Sequence, residues 1–434
     1  MSIDTGGDIF PVTLKGYRQR RRMTQRQLAD RSTISVRTIR DLESGRVQRP
    51  RDETLRLLAD ALELAESDRA DLDAATGRVL TTTDLTTLFG TATLSPPHAL
   101  DSLIGRENEV TSLHELLAPQ GYRLVTITGL AGVGKSRMVL ELAKVLHESD
   151  RFPVLWKSRT GAEKARHRAP LSDRLAHALR TALEKLFSPA EGVGELAELI
   201  GRRPTLLALD GYEASDIRPD HIGQLLQQCP GLRVLIAARG PVGLPGERVV
   251  HLPPLAVPGH LPSRSVGALA EVSSVKLLLR HVRRVRPDFT MRTSNAGAVA
   301  AICDQLDGIP TALEDVASWF FVDTPELITE RLRTTPFDLF KKESDELRAS
   351  LLRSMAALNA NESLVLARLS RRQTHWTINE MAELVGSPIA TAMRCAQRLL
   401  ALGLVRPATS DDHPTYSVLT LVGALQREPA PGAR

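Results

Sequence analysis

The sequence predicts a multidomain chain: an all-α module first, then an α/β unit on a parallel sheet, then helices that end in a small α+β unit. Three observations predict it. Between Leu14 and Leu62 apolar residues recur at spacings of three and four, the period of amphipathic helices. Further on, short apolar runs (Leu124–Thr128, Thr205–Leu209 and the RVLIAAR segment) alternate with helical patterns, as in a parallel sheet with crossover helices. The length, 434 residues, exceeds that of one ordinary domain.

With 42% hydrophobic and 25% charged residues the chain has ample material for buried cores. The start, MSIDTGGDIF, lacks a basic region followed by an apolar core, and no apolar run approaches the ~20 residues that span a bilayer. A cytoplasmic protein without membrane attachment is expected. Cys229, Cys303 and Cys395 lie far apart with no CxxC pair, so they read as small buried hydrophobes rather than a zinc site or disulfide framework.

The N-terminal module carries the charge. Between Lys15 and Arg51 twelve basic residues face three acidic ones, an excess of +9, whereas the whole chain is only +5. The rest of the chain is therefore net acidic, and one end is built to meet a polyanion. Thr24 is placed to cap a helix running to Arg31, and Ser35 a second one ending at Gly45. Ser32–Thr33–Ile34 between them has the length of a tight helix-turn-helix turn. In that geometry the second helix enters the major groove, so Ser35, Val36, Arg37, Thr38 and Arg40 are expected at base edges. Gln25 and Arg46, at the flanks, are expected at phosphates of double-stranded DNA. MTQRQLADRSTISVRTIRDLESGR resembles the XRE/lambda-repressor-like helix-turn-helix family along its whole length. After Leu72 the periodicity stops, and a Thr-rich stretch with a Pro pair reads as a flexible linker.

GLAGVGKS, residues 129–136, follows the first strand run and opens a helix, which makes it a Walker A phosphate loop. The glycines Gly129, Gly132 and Gly134 let backbone N–H groups turn toward phosphate oxygens. Ala131, Val133 and Arg137 share the loop, Lys135 is expected at the β- and γ-phosphates, and Ser136 at Mg2+. The second carboxylate for that metal is Asp210, at the end of the next apolar run, and Arg239 ends the following one, where a guanidinium senses a γ-phosphate. ATP or ADP with Mg2+ is the expected cofactor. Glu213 is the candidate to position a water, because Gly211 leaves no second acid beside Asp210; at most slow hydrolysis is expected.

Together these blocks resemble the NB-ARC branch of the STAND signal-transduction ATPases, and actinobacterial regulators that place a helix-turn-helix before such a module. The resemblance spans residues 14 to 425. LIGRE (Leu103–Glu107) is similar to the adenine-side entry motif, and LDGIPTALE (Leu306–Glu314) to the lid motif. It implies that Pro310 packs on the adenine, with Ile104, Gly105 and Arg106 at the same end. It also implies a winged helix that clamps the nucleotide domain and does not bind DNA; its stretch has eleven basic and nine acidic residues. Relatives continue into sensor repeats, and no repeat period is visible here, so the input signal is expected elsewhere, such as on a separate sensor protein.

The expected domains are 1–75 (DNA-binding), 76–98 (linker), 99–255 (nucleotide-binding), 256–338 (helical lid), 339–428 (winged helix) and 429–434 (disordered tail). The function implied is an ATP/ADP-switched transcriptional regulator whose self-association gathers several DNA modules, nucleoid-associated when DNA-bound. Two alternatives stand beside it: an ATPase with productive turnover tethered to DNA, and an ADP-bound scaffold that recruits a protein partner.

Overall fold

The computed structural model describes residues 9–76 and 95–427, apart from 48–49, 66–67, 70–71, 73–74, 98, 100, 119–120, 150–151, 160–178, 180, 189–191, 213–214, 261–264, 342–344, 373–374 and 409–413. Most of the expected linker, the expected tail and Glu213 fall outside these residues. Among the described residues no helix is long and apolar enough to cross a membrane.

The N-terminal module contains α1 (Ile9–Arg20), α2 (Gln25–Ser32), α3 (Val36–Glu43) and α4 (Asp52–Ala61). Thr24 caps α2 in a capping box with Gln27, and Ser35 caps α3 by accepting from the Thr38 N–H. Thr33, at φ 57°, makes the sharp turn between them. Helix α3 ends at Glu43, two residues before Gly45. Leu14, Leu28, Ile39, Leu42, Leu55 and Leu58 form the core.

Helix α5 (Glu107–Leu116) precedes five parallel strands in the spatial order β2-β3-β4-β1-β5. These are β1 (Leu124–Thr128), β2 (Val154–Ser158), β3 (Thr205–Asp210), β4 (Leu232–Ala237) and β5 (Arg248–His251). Helices α6 (Lys135–Ser149), α7 (Gly194–Ile200) and α8 (Pro219–Gln228) cover its faces. The two-residue period of a strand divides the central strands between two cores. Leu206, Ala208, Leu235 and Ala237 pack with Met138 and Leu142 of α6, while Leu207, Leu209, Val234 and Ile236 pack on the side of α7 and α8.

Beyond the sheet come α9 (Val266–Glu271), α10 (Ser273–Val285), α11 (Thr293–Gln305), α12 (Pro310–Ala317) and α13 (Pro325–Thr334). Then follow α14 (Asp345–Ala356), α15 (Ala360–Arg372), α16 (Ile378–Val385), α17 (Ile389–Ala401), the antiparallel pair β6 (Val405–Ala408) and β7 (Thr415–Val418), and α18 (Thr420–Arg427). Three helices followed by a two-stranded wing form the expected winged helix. One continuous core joins the lid helices to the winged helix, from Val275 and Leu313 to Leu399 and Leu421.

Candidate nucleotide site and DNA-reading helix

The phosphate loop links β1 to the start of α6, so its backbone turns at the carboxyl edge of the sheet. Strand parity then selects what faces it. Asp210 continues the Leu206–Ala208 series on the α6 face, so its carboxylate meets the side chains at the start of that helix. The Ser136 and Ser158 hydroxyls bond to it and the Lys135 charge lies near. Burial still dominates and pushes the Asp210 carboxyl above its ordinary range. One oxygen, Oδ1, is buried without a hydrogen-bond partner among the described residues. A buried carboxylate oxygen lacking a donor, beside a serine hydroxyl, is what a hard divalent cation requires. Ser136 and Asp210 therefore fit Mg2+.

Lys135 Nζ donates to the Gly129 and Leu130 carbonyls at 2.9 and 2.8 Å, so the ammonium lies across the mouth of its own loop. Ser158 at the end of β2 and His251 at the end of β5 also belong to this edge. His251 has its pKa pushed down by burial and then by the Lys135 charge. Sequence reasoning missed both. Ser158 shares Asp210's face only because the two strands pair in register, and no single segment carries that signal.

The lid and winged helix close directly on the loop. Thr311, second residue of α12, donates to the Gly132 carbonyl through its N–H at 3.2 Å and its hydroxyl at 3.1 Å. Gly132 sits at φ +76°, and a Cβ there would lie 2.8 Å from the Thr311 hydroxyl, so glycine is required for the contact as well as the turn. The Ala131 N–H, one of the loop groups expected at phosphates, donates to the Ser350 hydroxyl of α14 at 3.3 Å. Leu130 is 4% exposed and belongs to the core of the lid and winged helix. A Cβ on Gly403 would lie 2.7 Å from its Cγ. Four residues before Ser350 on the same helix face, Glu346 pairs with Arg239.

Several expected ligands have structural partners here. Arg106 is buried, bonds to Glu109 at 2.9 Å and to the Pro253 carbonyl, and ties α5 to the segment after β5. Ile104 packs against the lid core, Gly105 passes within contact of Ser273, and Arg137 pairs with Glu141 at 3.1 Å. Pro310 is the first residue of α12, beside Thr311. Arg239 is brought to the expected edge, but it faces a carboxylate of the winged helix.

On the N-terminal module, Ser35, Arg37, Arg40 and Arg46 are exposed, and Thr38 is half-buried with its hydroxyl 2.8 Å from Ser35 Oγ. Val36, expected at a base edge, is half-buried and packs against the module's core. Gln25, expected at a phosphate, is half-buried and donates to the Glu43 carboxylate at 2.8 Å, which also takes a two-pronged contact from Arg18 at 2.6 and 2.8 Å. That ion pair joins α1 to the end of α3 and fixes the reading helix.

Comparison with known proteins agrees with this division. A family model described as an AAA ATPase domain matches residues 102–336, and one described as a helix-turn-helix domain matches residues 11–72. The chain is 31% identical over 222 residues to "Uncharacterized protein Rv0894" of Mycobacterium tuberculosis, covering 50% of this chain and 51% of that one. It is 28% identical over 265 residues to "Putative HTH-type transcriptional regulator Rv0890c" of the same organism, covering 57% of this chain and 26% of that one. It thus spans about half the length of the first relative and about a quarter of the second. A crystal structure of a STAND protein with a tetratricopeptide repeat sensor from Pyrococcus horikoshii shares 16% identity over 77% of this chain and 44% of that one, at a TM-score of 0.31.

Proposed function

The chain belongs to the AAA ATPase domain family and carries a helix-turn-helix domain, and we propose that it is a DNA-binding transcriptional regulator switched by ATP and ADP. The observation that carries this reading is the clamp on the phosphate loop. Leu130, the Ala131 N–H, the Gly132 carbonyl and Arg239 are all engaged by the lid or the winged helix. The Ala131 N–H and the Arg239 guanidinium are both donors suited to phosphate oxygens, so phosphate chemistry and domain closure compete for these two groups. ADP lacks the γ-phosphate and so leaves the Arg239–Glu346 pair in place. A γ-phosphate draws Arg239 away from Glu346 and brings negative charge toward that carboxylate, which disfavours closure.

Ser136 and Asp210 would hold Mg2+, which supplies charge neutralisation on the phosphate oxygens. Lys135 leaves the Gly129 and Leu130 carbonyls for phosphate, and the loop N–H groups orient the chain of phosphates. Opening frees the lid and winged helix for self-association, which gathers several tethered helix-turn-helix modules. Linked copies raise DNA avidity by ~10²–10⁴ without a new contact. Arg37, Arg40 and Ser35 read base edges, and Arg46 meets phosphate.

The test is DNA affinity of the full chain at fixed salt with ADP, with a slowly hydrolysed ATP analogue and without nucleotide. The switch predicts tighter binding with the triphosphate. Equal affinity in all three states sinks it, because a ligand shifts an equilibrium only through differential affinity.

A further inference from the structure

The lid and winged helix enclose a half-open cavity of about 550 Å³ that shares no residue with the phosphate loop or the ends of the sheet strands. Gln305, at the end of α11, and Arg333, at the end of α13, line it from the lid. Arg406 of β6, Arg427 at the end of α18 and His375 line it from the winged helix. Leu369 and Leu419 give it an apolar floor. Among the described residues no acidic side chain lines it.

The carboxylate that meets the cavity-lining Thr420 and Leu421 is already committed. Asp307 is fully buried, and its two oxygens accept the Thr420 and Leu421 N–H groups at 2.8 and 2.9 Å, capping α18 from the lid. Its charge reaches Arg406 but leaves Arg333 and Arg427 without an acid on the cavity wall. Three arginines line one concavity, and none of them makes an ion pair among the described residues. The Gln305 side-chain oxygen is buried without a hydrogen-bond partner among the described residues, so a polar atom of one lining residue lacks a donor. The volume lies within the range of small-molecule sites.

We propose that this cavity is an effector site for a small organic anion with two negative charges and a hydroxyl or amine donor. The guanidiniums take the charges, Gln305 takes the donor, and the apolar floor takes the carbon skeleton. Because the walls come from both the lid and the winged helix, an occupant favours their joined arrangement. That consequence rests on the switch described above; binding itself does not.

The experiment uses the full chain saturated with ADP and Mg2+, so that the phosphate loop is not a competing site. Glycerol 3-phosphate and malate, a phosphoester and a dicarboxylate each with a hydroxyl, are titrated by calorimetry, with glycerol as the uncharged control. The expected result is one site per chain for at least one of the two anions and no heat with glycerol. Arg333→Gln and Arg427→Gln, both at exposed side chains, each weaken binding roughly tenfold, the effect of removing one charged hydrogen bond. The double variant keeps its thermal transition and loses the site. No binding of either anion overturns the proposal, as does binding that survives in the double variant. Displacement of the bound anion by a short DNA duplex, lost in the same double variant, also overturns it and makes the cluster a nucleic-acid contact.

Discussion

Leu130→Ala isolates the clamp from the rest of the fold. Leu130 belongs to the phosphate loop by sequence, yet its side chain is 4% exposed and packs into the core of the lid and winged helix, against Gly403. Its burial therefore exists only while those domains are closed on the loop. Truncating a buried leucine costs about 2–5 kcal/mol. Here that cost falls on the closed arrangement, and at about 1.4 kcal/mol per decade even the lower figure shifts the opening equilibrium by roughly thirtyfold. The readout is release of a fluorescent ADP from the full chain after mixing with excess unlabelled ADP. If release requires opening, the variant releases at least about thirtyfold faster, with ADP still bound at equilibrium. An unchanged release rate alongside a lower unfolding temperature refutes the reasoning, because Leu130 would then be an ordinary core residue with no part in gating.

Other predictions address the remaining parts. Arg37→Ala and Arg40→Ala each weaken specific DNA binding by about 1–3 kcal/mol in electrophoretic shift, whereas Arg46→Ala weakens all duplexes alike and lowers the salt slope by about one. Lys135→Ala abolishes nucleotide binding while circular dichroism stays native; an unfolded variant favours a purely structural nucleotide. Glu43→Gln destabilises the N-terminal module by about 3 kcal/mol in denaturant titration, as breaking a buried pair does. Burial alone raises the Glu43 carboxyl, but the Arg18 and Gln25 hydrogen bonds outweigh it and hold it below the usual range. A depressed carboxyl stabilises fully above the unfolded value near ~4.3 and ceases to as pH falls through the folded one. The wild type accordingly loses more stability than Glu43→Gln on acidification across that window.

The phosphate loop, Asp210 and the two helix caps were legible because each depends on a few neighbouring residues. Thr24 and Ser35 cap where their spacing places them, and Asp210 ends the run that precedes it. The clamp was not legible. Ser350 reaches Ala131 across 219 positions, Thr311 reaches Gly132 across 179, and Glu346 reaches Arg239 across 107. Such contacts arise from how helices pack after they form, and nothing local marks a serine on α14 as a partner of the loop. Val36 and Gln25 teach a related lesson. The helix-turn-helix pattern locates α2 and α3, but which of their residues face inward depends on the Arg18–Glu43 pair and on the core beneath.

Whether nucleotide state governs self-association is read from the light-scattering mass of the purified chain with ADP and then with a slowly hydrolysed ATP analogue. A single closed chain is expected with ADP, and a larger particle only with the triphosphate. The same mass in both states contradicts the switch.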